Sequence, residues 1–441
     1  MSLNVLNSYT FKVFGIGFLA LLMLIPLAQV QGLINERSQL RRTAIDAIAQ
    51  GWGGEQQLGG PVIAVPRLIH VQTSTGWITQ ETTEILLPDE LNIDAVLAPD
   101  LRKYGIYETS VYTAEIKIDG KFLAQDISKL PDPDSYNWQK AELRLPVSDV
   151  HGIRRISALH FDEADATFGP SDGGVAGYAA VGVPIDARKF VGDTHRFQFD
   201  MTLAGTQSLQ LLPLARRTQA HMSSSWPDPT FNGTFLPATR HVDAAGFDAK
   251  WQVLDLNHRF GQHWREDAEH RVDVAASAFG TVLYQPASIY QQNERAGKYG
   301  ILFIALTFVA FFLFEVLKKL RVHPVQYLLV GLALATFYVV LLALSEHIGF
   351  AWAYLAAATS VVLMVSAYAG AILRMRMAGL TLGAMMALIY GLLYGLIASE
   401  QYSLLMGAIA LLAIVAALMH LTRKVDWYAA TSTVAPALAS K

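Results

Sequence analysis

Five long apolar segments follow one another in the last third of the chain, separated by short polar hinges. With their flanks, each approaches the roughly 20 residues that a helix needs to cross a hydrocarbon core. A backbone in lipid has to satisfy its own hydrogen bonds, so segments of this length are expected to be helical. The pattern predicts five transmembrane helices, at residues 299–317, 325–344, 349–373, 378–398 and 402–421.

A sixth apolar run covers residues 13–30, after a short N-terminal segment, residues 1–12. It could be a cleaved signal peptide, with Ala28-Gln29-Val30 as a poor cleavage site, or a retained helix that tolerates Pro26 near its end. The run is longer than the roughly 7–15 residues usual for a signal core, which favours retention. The sequence therefore predicts one N-terminal transmembrane helix, followed by a stalk helix over residues 31–50.

Between residues 60 and 288 the apolar positions alternate with polar ones, and clusters of turn-forming residues separate the alternating stretches. Such dense strands without long helical patterns are typical of an antiparallel, sandwich-like domain. Asp119-Gly120, directly after the alternating stretch 107–118, reads as the clearest hairpin turn. A division into two sub-domains near 150–190 stays open. The predicted fold is an α+β membrane protein with a large β-rich domain, residues 31–298, between one N-terminal helix and a C-terminal bundle of five helices.

The charges in the hinges predict the orientation of the chain. Lys and Arg cluster after the first, third and fifth C-terminal helices, whereas the two other hinges carry neither. Because positive residues stay cytoplasmic in short loops, the β-rich domain is predicted to lie on the outer face of the membrane. Both termini, including the tail 422–441, are predicted to be cytoplasmic. The cations are Lys318, Lys319 and Arg321, then Arg374 and Arg376, then Arg423 and Lys424.

Composition narrows the possible functions. The mean hydropathy of +0.31 and the 16% of charged residues are averages over an apolar bundle and a polar domain. A net charge of −3 gives no electrostatic indication of nucleic-acid binding. The chain has no cysteine, which excludes disulfides, thiol catalysis and cysteine-ligated metals.

No motif predicts a catalytic residue, a cofactor or a metal site. Residues 169–173 match G-x-S-x-G, but a glycine run follows where a nucleophile elbow requires a helix, so a loop is predicted. Charged residues of the bundle, such as Glu315, stand at helix ends, which argues against an ion pathway. Gly391 and Gly395 have the spacing of a small-residue packing face.

The chain resembles the CreD family of bacterial inner-membrane proteins from Pro26 to Tyr428. Its segments match in order, and their combination is more specific than any one of them. The matching segments are 298–308, 323–332 and 342–350 in the bundle, and 60–61, 104–107, 152–153, 225–229 and 235–237 in the β-rich domain.

The resemblance implies a multi-pass protein of the bacterial inner membrane whose large β-rich domain is periplasmic. It also implies a role in cell-envelope integrity and in tolerance of envelope-directed agents, but no catalytic residues. The favoured hypothesis is a non-enzymatic protein whose partners are membrane lipids and an envelope protein or cell-wall component. Trp226, Glu346 and His347 are the candidate docking residues. A membrane-anchored periplasmic enzyme and a transporter of lipids or small molecules are the alternatives. The sequence leaves the oligomeric state open.

Overall fold

The computed structural model describes residues 9–423 in two compact units. The helical unit consists of Met1–Leu40 and Ala287–Lys441, and the β-rich unit of Arg41–Pro286. The gaps within the described range are 74–75, 124–131, 133–134, 187–193, 267–271, 284–288, 318–321, 373–375 and 400–402. Two of the predicted cationic hinges thus lie largely outside the described residues.

The first two helices, α1 (Tyr9–Leu22) and α2 (Leu24–Trp52), are interrupted only at Met23. Lys12–Trp52 counts as one helix of 41 residues. Gly53 ends it with φ of +129°, a conformation that favours glycine. A Cβ at this position would lie 2.6 Å from the carbonyl oxygen of Ala204, so the close approach also requires glycine.

The last turn of α2 packs on the β-rich unit through Trp52. Its indole Nε1 donates a hydrogen bond to the carbonyl oxygen of Tyr112 at 3.2 Å. The guanidinium carbons of Arg102 and Arg154 lie 4.6 and 5.0 Å from the centre of its ring. Cation–π contacts of this kind fix the end of the stalk on the sheets.

Nineteen strands are found among the described residues, together with four short 3-10 turns. The turns are Trp138–Lys140, Val150–Gly152, Asp255–Asn257 and Ala275–Ser277. The strands are β1 (Gln56–Gly59), β2 (Val62–Thr73), β3 (Gly76–Leu86), β4 (Glu90–Tyr104), β5 (Tyr107–Leu123), β6 (Ala141–Val147), β7 (Ile153–Ile156), β8 (Leu159–Phe161), β9 (Ala164–Ala166), β10 (Gly169–Pro170), β11 (Ala179–Ile185), β12 (Thr194–Thr206), β13 (Ser208–Leu212), β14 (Arg217–Ser224), β15 (Pro229–Gly233), β16 (Thr239–Asp243), β17 (Gly246–Leu254), β18 (His263–Glu266) and β19 (Phe279–Leu283).

The strands form two sheets. Sheet I has the order β15-β19-β13-β1-β6-β2-β3-β18, with β11 also on β6 and β10 on β11. Sheet II has the order β16-β17-β14-β4-β5-β12-β8-β9, with β7 also on β12. The predicted antiparallel pattern holds for most pairs, but β1 pairs with β13 and β4 pairs with β14 in parallel.

The two sheets share one hydrophobic core. Inward residues of sheet I, such as Leu58 and Leu143, belong to the same buried cluster as Ile93 and Phe199 of sheet II. Strand β17 illustrates how a strand contributes to this core. Its buried and exposed residues alternate, as expected when one face of a strand packs against a core. The β-rich domain is therefore a sandwich within one compact unit, and β12 pairs with β5 over its whole length across the region where a division was left open.

The predicted turn at Asp119-Gly120 is wrong. Strand β5 continues through both residues to Leu123 and pairs with β4 on one side and β12 on the other. A Cβ on Gly120 would collide with the carbonyl oxygen of Glu90 and the ring of Phe197. The glycine is required by close packing inside the sheet and does not mark a turn.

Among the described residues, six helices follow the β-rich unit. They are α3 (Ile289–Lys298), α4 (Gly300–Leu317), α5 (Pro324–Ile348), α6 (Phe350–Ile372), α7 (Arg376–Ala398) and α8 (Ser403–Thr422). Three of them, α5, α6 and α7, are each long and apolar enough to cross a membrane, as is Lys12–Trp52. Helices α3 and α4 make a pair bent by 46° that passes the same test together, and the apolar part of α8, Leu405–His420, is shorter. The described residues thus hold four or five candidate spans, and the predicted total of six stays a prediction.

Candidate functional site

Glu346 lies at the end of α5 and is held within the helical unit. Its Oε1 accepts a hydrogen bond of 3.0 Å from the Tyr290 hydroxyl and lies 3.8 Å from Nε of Arg37. Only 9% of its side chain is exposed. His347, by contrast, is exposed. The two residues of the predicted docking pair therefore differ in exposure. Glu346 connects α5 to α2 and α3, whereas His347 is exposed to solvent, and docking at either residue stays a prediction.

Trp226 lies in the bend after β14, in the β-rich unit. It is half-buried and packs against the shared core, as do Phe231 and Phe235. Its backbone N–H donates to the Ser224 hydroxyl at 3.3 Å. These contacts give Trp226 an anchoring role for its loop, while its interaction with a partner stays a prediction.

A second carboxylate, Glu315 near the end of α4, forms a buried polar cluster that the sequence did not predict. It accepts hydrogen bonds from Lys12 Nζ at 2.6 Å, from the Tyr327 hydroxyl at 3.0 Å and from the Val322 backbone N–H at 3.1 Å. Its side chain is 2% exposed. Glu315 thus lies near a helix end, as predicted, but α1 and the start of α5 cover this end and bury the carboxylate.

The small-residue packing face agrees with the prediction only in part. Among the described residues, no atom lies within 4 Å of a Cβ built on Gly391, whereas a Cβ on Gly395 would lie 3.3 Å from Cε of Met406 in α8. The closer contacts of α7 are at Gly379 and Gly383, which face Ser366 and Gly370 of α6. Gly379 and Gly383 have the same four-residue spacing as the predicted pair. The small-residue motif therefore occurs twice in this helix, and only the packing shows which pair lies at the closest helix crossing.

The G-x-S-x-G segment is a loop, as predicted. Ser171 follows the two-residue strand β10, and the described residues up to β11 contain no helix. Its hydroxyl donates to Glu142 Oε2 at 2.7 Å and to the carbonyl oxygen of Gly173 at 3.0 Å. Ser171 thus donates to a carboxylate of β6 and to a carbonyl of its own loop. No histidine base is among these contacts, so Ser171 has a structural role here.

The acidic residues near this loop engage histidines. Asp162 Oδ2 lies 2.7 Å from Nδ1 of His195, which is largely buried beneath the ring of Phe161. In the part of the chain that the structure describes, no group of three or more His, Asp or Glu side chains is arranged to hold a metal ion. The contact links Asp162, in the turn after β8, to His195 of β12.

Another histidine, His221 of β14, lies between two carboxylates on the outer face of sheet II. Its Nδ1 is 3.0 Å from Asp94 Oδ1 and its Nε2 is 2.6 Å from Asp248 Oδ2. Burial lowers the pKa of His221, but the hydrogen bonds with Asp248 and Asp94 outweigh it and raise the pKa above its ordinary value. The imidazole thus favours its charged form, which can donate to both carboxylates at once.

Two ribbons extend past the sheets and carry exposed apolar side chains. In β2 and β3, pairing with other strands of sheet I is limited to Val62–Ala64 and to residues 83–86, so the described positions between 68 and 81 pair only with each other. In β4 and β5, Leu101–Tyr104 and Tyr107–Ser110 likewise pair only with each other among the described strands. Trp77 in the first ribbon and Tyr104 in the second are 69% and 60% exposed.

Comparison with known proteins agrees with these features. The profile of the family described as "Inner membrane protein CreD" matches residues 8–428. The chain is 35% identical over 413 residues to the inner membrane protein CreD of Escherichia coli strain K12, covering 93% of this chain and 91% of that protein. With an N-terminal apolar helix, a large β-rich domain and a C-terminal set of helices, several of them apolar, this chain belongs to the CreD family of inner-membrane proteins.

Proposed function

We propose that this protein contributes to the integrity of the cell envelope by holding its β-sandwich in the periplasm, where the sandwich binds an envelope protein or cell-wall component. Six helices would cross the inner membrane, with both termini in the cytoplasm. The two exposed ribbons and the loop anchored by Trp226 would provide the binding surface of the β-sandwich, and His347 would be a separate contact residue of the helical unit.

The observation that carries the proposal is the pair of ribbons. Isolated apolar residues are common on protein surfaces, but here Trp77 and Ile78 are neighbours at the end of one ribbon. Tyr104 and Ile106 flank Gly105, which has a positive φ, at the end of the other. Tryptophan and tyrosine are the side chains that most often dominate binding energy at interfaces. Ribbons that end in such residues fit a function of recognition.

The polar clusters of the N-terminal helix support the membrane placement. Lys12 and Arg37 lie about 25 residues apart on one helix, which spans about 37 Å at 1.5 Å per residue. A bilayer is about 30 Å thick in its hydrocarbon core and about 40–45 Å with its headgroups. Glu36 is the one charged residue between these two cations, so their ion pairs would lie at the two membrane surfaces.

Topology can be tested directly because the chain has no cysteine. We would introduce single cysteines at Lys250 of β17 and at Arg423, both exposed, and label whole cells with a membrane-impermeant maleimide. Once the outer membrane is made permeable, Lys250→Cys should react, and Arg423→Cys should react only after lysis. The reverse pattern would overturn the periplasmic placement.

Binding is tested by photo-crosslinking probes at Trp77 and Tyr104 in the full chain, expressed in intact cells. The matched control is a probe at Lys250, which is exposed on the face of sheet II. We expect one discrete crosslinked product from the ribbons and none from the control. We also expect Trp77→Ser with Tyr104→Ser to keep normal protein levels but to sensitise cells to envelope-directed agents. Equal crosslinking at all three positions, or unchanged tolerance, would contradict the proposal.

A further inference from the structure

The N-terminal helix contacts the rest of the helical unit through a charge at each end. Lys12 Nζ lies 2.6 Å from Glu315 Oε1, and Arg37 Nε lies 3.8 Å from Glu346 Oε1. The first contact is a direct, largely buried ion pair, whereas Arg37 is 44% exposed and further from its partner. The Lys12 end is therefore the stronger attachment.

In this contact, the positive charge of Lys12 compensates the charge of the buried Glu315 carboxylate. The other two donors to its carboxylate are the Tyr327 hydroxyl and the Val322 backbone N–H, which are neutral. Among the described residues, Lys12 is the one cation in contact with it. Burying a carboxylate is costly unless a positive charge compensates it, and removing one partner of a buried pair leaves that cost unopposed.

Between its charged ends, the helix is seated against glycines of the bundle. Met23 is 2% exposed, and its sulfur would lie 2.7 Å from a Cβ on Gly331 of α5. Leu27 makes the same kind of contact with Gly300, at 2.8 Å. Contacts at two successive turns show that α1 and α2 fit a groove shaped by small residues.

We infer that the Lys12–Glu315 pair is an ionic latch that keeps the N-terminal helix in the bundle as a lasting part of the protein. The segment that resembles a signal sequence then acts as a retained anchor. Its removal by a peptidase would take away Lys12, the one cation that contacts the buried Glu315 carboxylate among the described residues. This inference concerns the helical unit alone and does not depend on what the β-sandwich binds.

The test compares Lys12→Met, Glu315→Gln and the double variant in the full chain, tagged at both termini. We expect both tags on one mature chain, and we expect Lys12→Met to reduce the amount of folded protein several-fold, as a destabilised chain is degraded. Adding Glu315→Gln to Lys12→Met should restore most of that amount, because a buried pair replaced by two neutral side chains loses the uncompensated charge.

Two controls separate the latch from general effects. Lys103→Met removes an exposed ion pair with Glu108 and should leave the protein level unchanged. If Lys12→Met acted only by disturbing membrane insertion, Glu315→Gln would not restore the protein. Loss of the N-terminal tag from the mature chain, a Lys12→Met level equal to wild type, or a double variant no better than Lys12→Met would each overturn the inference.

The position of the N-terminal helix against α5 can be tested directly by crosslinking. In the cysteine-free chain, Met23→Cys with Gly331→Cys should form a disulfide on mild oxidation of membranes, and Lys12→Met should lower the crosslinked fraction. Leu388→Cys, exposed on α7, replaces Gly331→Cys in the control pair and should give no crosslink within the monomer. Equal crosslinking in both pairs would show that the helix is not held in one position.

Discussion

The charged state of His221 connects a single side chain to the pH dependence of stability. The folded pKa of His221 lies above its ordinary value of 6.5, since its hydrogen bonds with Asp248 and Asp94 outweigh the opposing effect of burial. A raised folded pKa means that the folded state binds the proton more tightly than the unfolded state. The resulting stability is fully present below the ordinary pKa and is lost as the pH rises through the folded pKa.

We therefore compare how much the free energy of unfolding falls between about pH 6 and about pH 9 in the wild type and in His221→Gln. The fall should be larger in the wild type by roughly 0.2–1 kcal/mol. The measurement is chemical unfolding of the purified chain, followed by tryptophan fluorescence, across that range. His241→Gln is the control, since His241 is exposed and its single described partner is Asp243. Parallel pH curves for wild type and His221→Gln would refute the assignment.

Individual residues were the least predictable level from sequence. Glu315 was predicted as a charge at a helix end, whereas Lys12, the last residue of the predicted N-terminal segment 1–12, lies inside α1. What made them a site is that α1 packs across the end of α4, some 300 residues later, and no local pattern contains that contact. Conversely, the surroundings of Trp226 were set by core packing of its loop, which a motif of neighbouring residues does not reveal.

Among the elements, helices α6 and α7 depend on the absence of side chains at their crossing. A Cβ on Gly379 would lie 2.6 Å from the Ser366 carbonyl oxygen and 2.9 Å from the Cα of Gly370. Both neighbours are backbone atoms, so the helices have to move apart to admit even one methyl group.

Gly379→Ala should therefore destabilise the detergent-extracted protein by roughly 1–3 kcal/mol, the usual cost of overpacking. Gly391→Ala, in the same helix and without a neighbour within 4 Å among the described residues, should be neutral or stabilising by up to about 1 kcal/mol, because alanine favours helix over glycine. Thermal unfolding monitored by circular dichroism compares the two. Similar losses for both variants would show that helix geometry, and not the crossing, is responsible.

Strands were largely predictable because alternation is a local property. In β17, for example, the buried apolar residues Phe247, Ala249, Trp251 and Val253 alternate with exposed residues. The turn at Asp119-Gly120 failed because a glycine in a strand and a glycine in a turn look the same in sequence. Only the partners of β5, which are distant in the chain, distinguish them. For the same reason, the parallel pairs β1–β13 and β4–β14 had no signature in the sequence.

At the level of the whole molecule, the β-rich unit contains every part of its own core. All described strands lie between Gln56 and Leu283, the core cluster draws on both sheets, and Trp52 at the end of α2 donates a hydrogen bond to Tyr112 of β5. A unit of this size buries roughly 70–75% of its chain surface on folding, which makes disulfides unnecessary. The unit should therefore be stable without the helices of the bundle.

We expect residues 41–286, expressed alone, to be soluble and to unfold in one cooperative transition with a near-ultraviolet circular dichroism signal from buried aromatic residues such as Trp251. A matched fragment, residues 55–286, keeps β1 but lacks Trp52 and its two cation–π contacts, and it should be less stable by roughly 1–2 kcal/mol. Equal stability of the two fragments would show that the stalk does not contribute to the sandwich. A gradual transition without the aromatic signal would show that the β-rich unit needs the membrane helices to fold. The proposed binding function would then depend on a domain that is not stable without the bundle.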